Sequence, residues 1–282
     1  MSKDNDILFE MLNEPEVKFS FNGVKSITGG LCWDVLTENR LNNPLALERY
    51  GYKVYSQNDE DGIIQEIFRR IGTTNKKFIE FGVQNGLESN GHYLLHLGWK
   101  GLWLESDGDA VEDIRRRFHE PIKNGQLCLR QELVTRDNIN SIIEKENFSG
   151  ELDLLSIDID GNDYYVWEAI SVVRPRVVVI EYNGKFPPDY SWKMNYDEKY
   201  VWHGTDEHGA SLKALQELGE KLGYQLVGTN IRGVNAFFVK EYLAKDKFYH
   251  PATAEALYNP LRLEWLVSSY HPSERYLGNI RR

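Results

Sequence analysis

One stretch, Lys77 to Gly86 (K-F-I-E-F-G-V-Q-N-G), restricts the folds open to this chain more than any other. Its short apolar run, Phe78, Ile79 and Phe81, reads as a buried parallel strand, and the run stops at Gly82 and Gly86. A strand that feeds into glycines and then a helix is a nucleotide-binding turn, where missing side chains let the backbone approach a ligand. A dinucleotide site would show G-x-G-x-x-G, laying a pyrophosphate against a helix N-terminus. Here two glycines follow an acid, Glu80. A carboxylate at that place repels an anion and attracts the ammonium and sulfonium of S-adenosylmethionine. An ordinary strand-to-loop turn with a solvated glutamate is the plain alternative.

Composition narrows the classes further. The 282 residues, 41% hydrophobic, supply one sizeable core. A formal charge of -10 argues against affinity for a phosphate backbone, so nucleic acid is not an expected partner. The chain lacks an apolar run of membrane-spanning length, and M-S-K-D-N-D lacks the apolar stretch of a secretory signal. Cys32 and Cys128 lie far apart and without metal-ligand spacing. These features lead us to expect a cytoplasmic protein without membrane insertion, zinc or disulfides. Residues 1–50 read as an N-terminal extension that caps the domain or supports a homodimer. Residues 51–240 form the main domain, and 241–282 a tail of helix and loops packed on it.

Beyond the glycine turn, short apolar runs alternate with amphipathic ones. Ile63, Ile64, Ile67, Phe68 and Ile71 recur at helical spacing, behind Asp59, Glu60 and Asp61, which read as first-turn acids complementing the helix dipole. The second strand, Gly101 to Glu105, ends on an acid where a ribose diol finds a bidentate carboxylate. NAD and S-adenosylmethionine both carry such a ribose, and Asp107 takes the place of Glu105 if the strand ends later. The third strand, Gln126 to Val134, would bring Gln131 and Glu132 beside an adenine, unless they form only a polar strand end. Leu154, Leu155 and Ile157 make a fourth strand, with Asp158, Asp160 and Asp163 at its carboxyl end, where open α/β sheets bind ligands. Acids so close repel one another unless a cation or proton intervenes; the alternative is a surface loop with Asp163 capping the next helix. The fifth strand ends in Glu181 and Asn183, and Tyr224 to Thr229 pairs with Asn235 to Val239. The expected fold is an α/β, Rossmann-like sheet of seven strands, parallel with one antiparallel strand, flanked by helices.

The segment E-F-G-V-Q-N-G resembles the first motif of class I methyltransferases, E/D-x-G-x-x-x-G. Y-S-Q-N-D-E-D-G (Tyr55 to Gly62) and I-D-I-D-G-N-D (Ile157 to Asp163) resemble segments of the FkbM-like methyltransferases, the second with Asp in place of both glutamates of I-D-V-E-G-x-E. The resemblance spans Tyr55 to Lys240. It implies the class I methyltransferase fold and S-adenosylmethionine as cofactor, bound by Gln57, Glu80, Gly82, Gly86, Glu105, Gln131 and Asp158. It also implies O-methyl transfer to a saccharide hydroxyl, on a nucleotide-linked sugar or a polysaccharide precursor. Metal-dependent small-molecule O-methyltransferases hold a divalent ion with an Asp from the fourth strand and an Asp and Asn from the fifth. By that likeness Asp158, Glu181 and Asn183 would hold Mg2+ or Mn2+ through hard oxygen ligands, although Glu for Asp and the intervening Tyr182 depart from the pattern.

Gly184 to Gly209 is the longest irregular stretch, and loops of this length inside a domain are usually lids or binding loops. Phe186, Tyr190, Trp192, Tyr196, Tyr200 and Trp202 alternate there with polar residues, which suits stacking against a sugar; a packed aromatic mini-core is the alternative. The expected base is His203, with Lys185 as the second candidate and His208 as a cap for the following helix. The acceptor hydroxyl would lie against the Asp158, Asp160 and Asp163 cluster under this loop, with Asp158 and Asp160 as further catalytic candidates. Two readings from other classes compete. An NAD-dependent sugar-modifying oxidoreductase shares the nucleoside features but lacks the glycine fingerprint, and a noncatalytic saccharide-binding protein would use the same aromatic loop.

Overall fold

The computed structural model describes residues 38–202 and 204–262. Its apolar segments pair into one sheet of seven strands: β1 (Lys77–Phe81), β2 (Lys100–Glu105), β3 (Leu127–Gln131), β4 (Gly150–Ile157), β5 (Val173–Glu181), β6 (Tyr224–Thr229) and β7 (Asn235–Lys240). The order is β3-β2-β1-β4-β5-β7-β6. Strands β1 to β5 run parallel, and β7 is antiparallel to both β5 and β6. The last strand therefore inserts beside the fifth, as expected of the class I methyltransferase fold. The third strand stops at Gln131 rather than reaching Val134.

Helices cover both faces: α1 (Glu60–Ile71), α2 (His92–His96), α3 (Gly108–Arg117), α4 (His119–Lys123), α5 (Ile139–Lys145), α6 (Asp163–Ala169), α7 (Leu212–Lys221), α8 (Glu241–Ala244) and α9 (Ala254–Leu257). Phe78 packs with Ile63 and Ile67 of α1, while its neighbour Ile79 joins Ile143 of α5 and Leu215 of α7 on the opposite face. Burial on both faces is why β1 and β5 are mostly apolar, with Phe78, Ile79 and Phe81 in one and Val177 to Ile180 in the other, rather than alternating. At the edge remote from the glycine turn, the buried Asp153 carboxylate accepts the backbone N–H groups of Thr74, Asn75 and Lys76 and the Arg176 guanidinium at 2.7 Å. Arg176 donates in turn to the carbonyls of Ile71 and Gly72, so one ion pair ties the end of α1 to β4 and β5.

The acids in the first turn of α1 do more than complement a dipole. Asp61 Oδ2 accepts the N–H groups of Val54, Tyr55 and Ser56 at 2.7, 2.7 and 2.9 Å. Glu60, fully buried, accepts the side-chain amides of Asn230 and Asn235, both at 2.9 Å. A buried turn with consecutive N–H groups needs acceptors, and these carboxylates supply them. They fix Gln57 at the sheet's carboxyl edge and join it to the β6–β7 connection.

Residues near both ends of the described chain pack together and into the core. Arg40 donates to Ala256 O and Asn259 Oδ1, both at 2.8 Å, and pairs with buried Glu48. Leu47, Ala254 and Leu257 lie in the core. Among the described residues, no helix is long and apolar enough to cross a membrane.

Candidate active site

Gly82 ends β1 with φ at +69°, its N–H donating to Leu104 O at 3.0 Å; a Cβ here would stand 1.7 Å from the Asp158 carbonyl oxygen. Glycine alone fits, and the ends of β1, β2 and β4 come together without side chains between them. Above them lies a crevice of two lobes that meet at Gly82, Gln84 and Asp158, with volumes of about 280 and 270 Å³. One lobe passes Glu105, Leu133 and Trp202; the other passes Gln57, Glu80 and Asn235.

Glu105 stands at the end of β2, and its carboxylate is already engaged. Oε2 accepts Gln84 N at 2.7 Å, and Oε1 accepts Ser106 N at 2.7 Å and Asp107 N at 2.9 Å. It thus shapes the glycine loop as well as lining the first lobe. Asp107 instead caps α3, accepting from Asp109 N. Glu80 is 4% exposed and braces α2 from below: Asn90 N and Gly91 N donate to it at 2.6 and 2.8 Å, and Trp103 Nε1 at 3.0 Å. Burial pushes its carboxyl up to about 7, against the pull of those donors. Gly86 supports the loop without lining the crevice; a Cβ would press on Trp103 at 2.8 Å and Phe118 at 2.9 Å. Gln57 is exposed and lines the second lobe.

Gln131 does not face the crevice. The strand turns there, and the side-chain amide lies over Gly108 and Ser106 O while Glu132 and Leu133 reach the first lobe. The strand ends earlier than its apolar pattern suggests, which shifts the adenine-side residues along by one or two.

Asp158, Asp160 and Glu181 bring carboxylate oxygens within 4.8 Å of one another. Asp158 and Glu181 are half-buried and Asp160, at φ +55°, is exposed. Burial, and after it the neighbouring carboxylates, hold the Asp158 and Glu181 carboxyls well above the usual carboxylate range. Asp163 is not part of this group. Its oxygens accept Ile159 N and Gly161 N at 2.8 and 2.9 Å, so it pins the turn that presents Asp158 and Asp160. Asn183 is also committed elsewhere: its amide donates to Asp206 O at 2.8 Å and His208 O at 3.2 Å, and its Oδ1 accepts Lys185 N. Asp160 takes the third position expected of Asn183, because the β4 turn folds back toward the end of β5 while Asn183 supports the long loop.

That loop is a closed excursion. Its limbs pair where Met194 N donates to Gly209 O at 3.0 Å and Ser211 N to Trp192 O at 2.8 Å. Tyr200 lies against Gly161, where a Cβ would be 2.4 Å from the ring, and Tyr200, Val201 and Trp202 wall the first lobe. Part of the aromatic set is instead a mini-core: the rings of Phe186 and Trp192 are 4.5 Å apart, and Tyr165 packs on Tyr196.

Of the candidate bases, His203 lies outside the described residues. Lys185 is exposed, paired with Asp206 and outside the crevice lining. His208 is no helix cap, since Ser211 caps α7. Its imidazole packs edge-on to Trp202, its buried Nδ1 has no hydrogen-bond partner among the described residues, and it sits close enough to Asp160 for the two charges to interact. Burial lowers its pKa, with Asp160 opposing. Sequence spacing gave no sign of this placement. Nor did it mark Asn235, which register sets opposite Glu181.

The crevice has one sign of charge. The first lobe is lined by Glu105, Glu132, Asp158, Asp160 and Glu198, the second adds Glu80 and Glu88, and among the described residues neither is lined by a lysine or arginine. Glu88 is paired with Lys53 at 2.7 Å.

No family description and no curated protein matches this sequence. Among solved structures it is similar to the glycopeptide N-methyltransferase MtfA in complex with S-adenosyl-L-homocysteine (13% identity, 69% of this chain and 95% of that one, TM-score 0.41). It is also similar to a TehB-like SAM-dependent methyltransferase from Corynebacterium glutamicum (14% identity, 77% and 98%, TM-score 0.37). An O-methyltransferase family protein from Burkholderia thailandensis is a third (10% identity, 64% and 57%, TM-score 0.40). Strand order and direction, rather than these distant likenesses, carry the assignment. The fold is that of a class I methyltransferase.

Proposed function

We propose that this protein transfers a methyl group from S-adenosylmethionine to a hydroxyl of a saccharide-type acceptor. The observation that carries the reading is the two-lobed crevice centred on Gly82, with Glu105 at the end of β2 in the first lobe. Adenosine lies along the first lobe, its ribose on Glu105 and its base toward Leu133. The methionine part lies along the second, by Gln57 and Asn85. The lobes meet at Asp158, so the methyl carbon faces the space between Asp158, Asp160 and the Tyr200–Trp202 wall. The acceptor oxygen attacks in line with the C–S bond, and the bond's electron pair passes to sulfur. Alignment is the chief contribution of the protein, since the sulfonium is already activated. His208, kept neutral by burial and lying behind the crevice lining beside Asp160, is the base we assign to the hydroxyl proton, reached through Asp160 or a bound water. The free half-buried thiol of Cys128 suits the reducing cytoplasm that we propose as its setting.

A metal-assisted form is the second reading. Asp158, Asp160 and Glu181 are hard oxygen donors of the kind magnesium or manganese takes, and such an ion would lower the pKa of the acceptor hydroxyl. Calorimetric titration with S-adenosylhomocysteine, in parallel with NAD, tests the cofactor. Micromolar binding of S-adenosylhomocysteine alone is expected; binding of NAD, or of neither, would remove the methyl-transfer reading.

A further inference from the structure

The acceptor's charge class can be read from what surrounds the transfer point. The carboxylates of Asp158, Asp160 and Glu181 converge at the ends of β4 and β5, and among the described residues the crevice lining beside them holds further acids and no lysine or arginine. The nearby cation, Lys185, is paired with Asp206. A phosphate or pyrophosphate brought here would face this group of acids with no basic residue of the described lining to offset them, in a partly enclosed space where field lines are focused rather than screened. A nucleotide-linked sugar is therefore the least suitable saccharide.

The walls supply a second, independent feature. The Tyr200 ring lies against Gly161, close to Asp160. Trp202 is 50% exposed, and its indole N–H is committed to Thr205 O at 3.0 Å, so what it offers a ligand is the ring. Carboxylates together with aromatic faces form a receptor for an alkylammonium, which gains from both the Coulomb term and the ring quadrupole. Converging acids without hydrogen-bond donors of their own are also what three N–H donors of an ammonium satisfy.

We propose that the acceptor is an amine-bearing saccharide whose ammonium docks on Asp158, Asp160 and Glu181 against the Tyr200–Trp202 wall, with the neighbouring hydroxyl presented to the methyl donor. This rests on the methyl-transfer reading above. The ammonium keeps its proton and acts only as an anchor, so the chemistry of transfer is unchanged.

The test uses the full chain with S-adenosylmethionine and a matched set of saccharides: amino sugars and aminoglycosides, their N-acetylated forms, neutral sugars, sugar phosphates and nucleotide-linked sugars. Methylated product is followed by mass spectrometry. Turnover is expected on amine-bearing members only, with a loss of at least tenfold on N-acetylation. Asp160→Asn is expected to raise KM for the amine about tenfold while leaving S-adenosylhomocysteine affinity unchanged. Turnover on neutral or phosphorylated members, no turnover on any amine-bearing member, or an Asp160→Asn variant with wild-type KM would each overturn the proposal. Activity lost to chelation and restored by manganese would do the same, since the acids would then hold a metal. Failure of the methyl-transfer reading is separately visible, as absence of S-adenosylhomocysteine binding to the same preparation. Methyl found on nitrogen would overturn it too, since an attacking amine must give up its proton and lie in line with the methyl donor instead of anchoring on the acids.

Discussion

The carboxylate of Glu105 offers about four lone-pair positions, and backbone N–H groups at 2.7, 2.7 and 2.9 Å occupy three of them. One position remains, on Oε2. A ribose diol can then gain a single hydrogen bond from this residue, not the bidentate pair expected from the position of the acid in the sequence. A hydrogen bond to a charged acceptor contributes about 1.5–3 kcal/mol, or about 10- to 150-fold in Kd. Glu105→Ala should weaken S-adenosylhomocysteine by that span in calorimetry. The 2′-deoxy and 3′-deoxy analogues locate the bond. With the wild-type protein one analogue should lose about 10- to 150-fold and the other change little; with Glu105→Ala neither should lose further. Large and equal losses for both analogues on the wild type would refute the lone-pair count, and wild-type affinity in Glu105→Ala would remove the residue from the ribose role altogether. Thermal unfolding of the variant, run alongside, shows whether the three freed N–H groups have let the glycine loop collapse.

Other consequences are open to measurement. Gly82→Ala drives a Cβ to within 1.7 Å of the Asp158 carbonyl at a φ of +69°, so the strand ends must part; a destabilisation of about 2 kcal/mol or more with loss of S-adenosylhomocysteine binding is expected, and a stable, binding-competent variant would contradict the geometry. His208→Gln should lower turnover by about 10²- to 10⁴-fold at unchanged cofactor affinity; an unchanged rate would assign the proton to another group. Glu80 bears on pH dependence: its folded pKa of about 7 exceeds the ordinary 4.5, so the folded state holds the proton more tightly and stability falls as pH rises from about 4.5 to about 7. The total is about 3 kcal/mol, and Glu80→Gln should flatten that slope in urea midpoints measured at pH 5 and pH 8; equal slopes in both proteins would count against it.

The parts of the fold legible in the sequence were those with one dominant local cause. Phe78, Ile79 and Phe81 are buried on two faces and followed by obligatory glycines, and Glu105 terminates a strand whose apolar run ends with it. The final strand pair, Tyr224 to Thr229 with Asn235 to Val239, showed itself as two apolar runs separated by a short polar turn. What stayed hidden depended on partners distant along the chain. Asp61 reads as a helix-dipole acid until three N–H groups of the preceding turn are found to need it. Asn183 and Asp160 exchange places because the turn after β4, pinned by Asp163, reaches further than its length suggests. Gln131 missed the crevice because β3 ends early, and strand ends are set by neighbours' hydrogen bonding more than by composition. His208 had no signal, since only closure of the long loop carries it to Asp160.

That closure bears on how such a protein changes its substrate. The pairs between Trp192 and Ser211 and between Met194 and Gly209 hold the neck of the excursion at a fixed width, whatever lies between. Residues 195–208 can therefore be exchanged as a cassette, while the floor, locked by the contact of Gly82 with Asp158, tolerates no such variation. Because Glu198, Tyr200, Val201 and Trp202 also line the first lobe, a transplanted loop of similar span should alter the acceptor space and the adenosine wall together while leaving the sheet beneath them as it is.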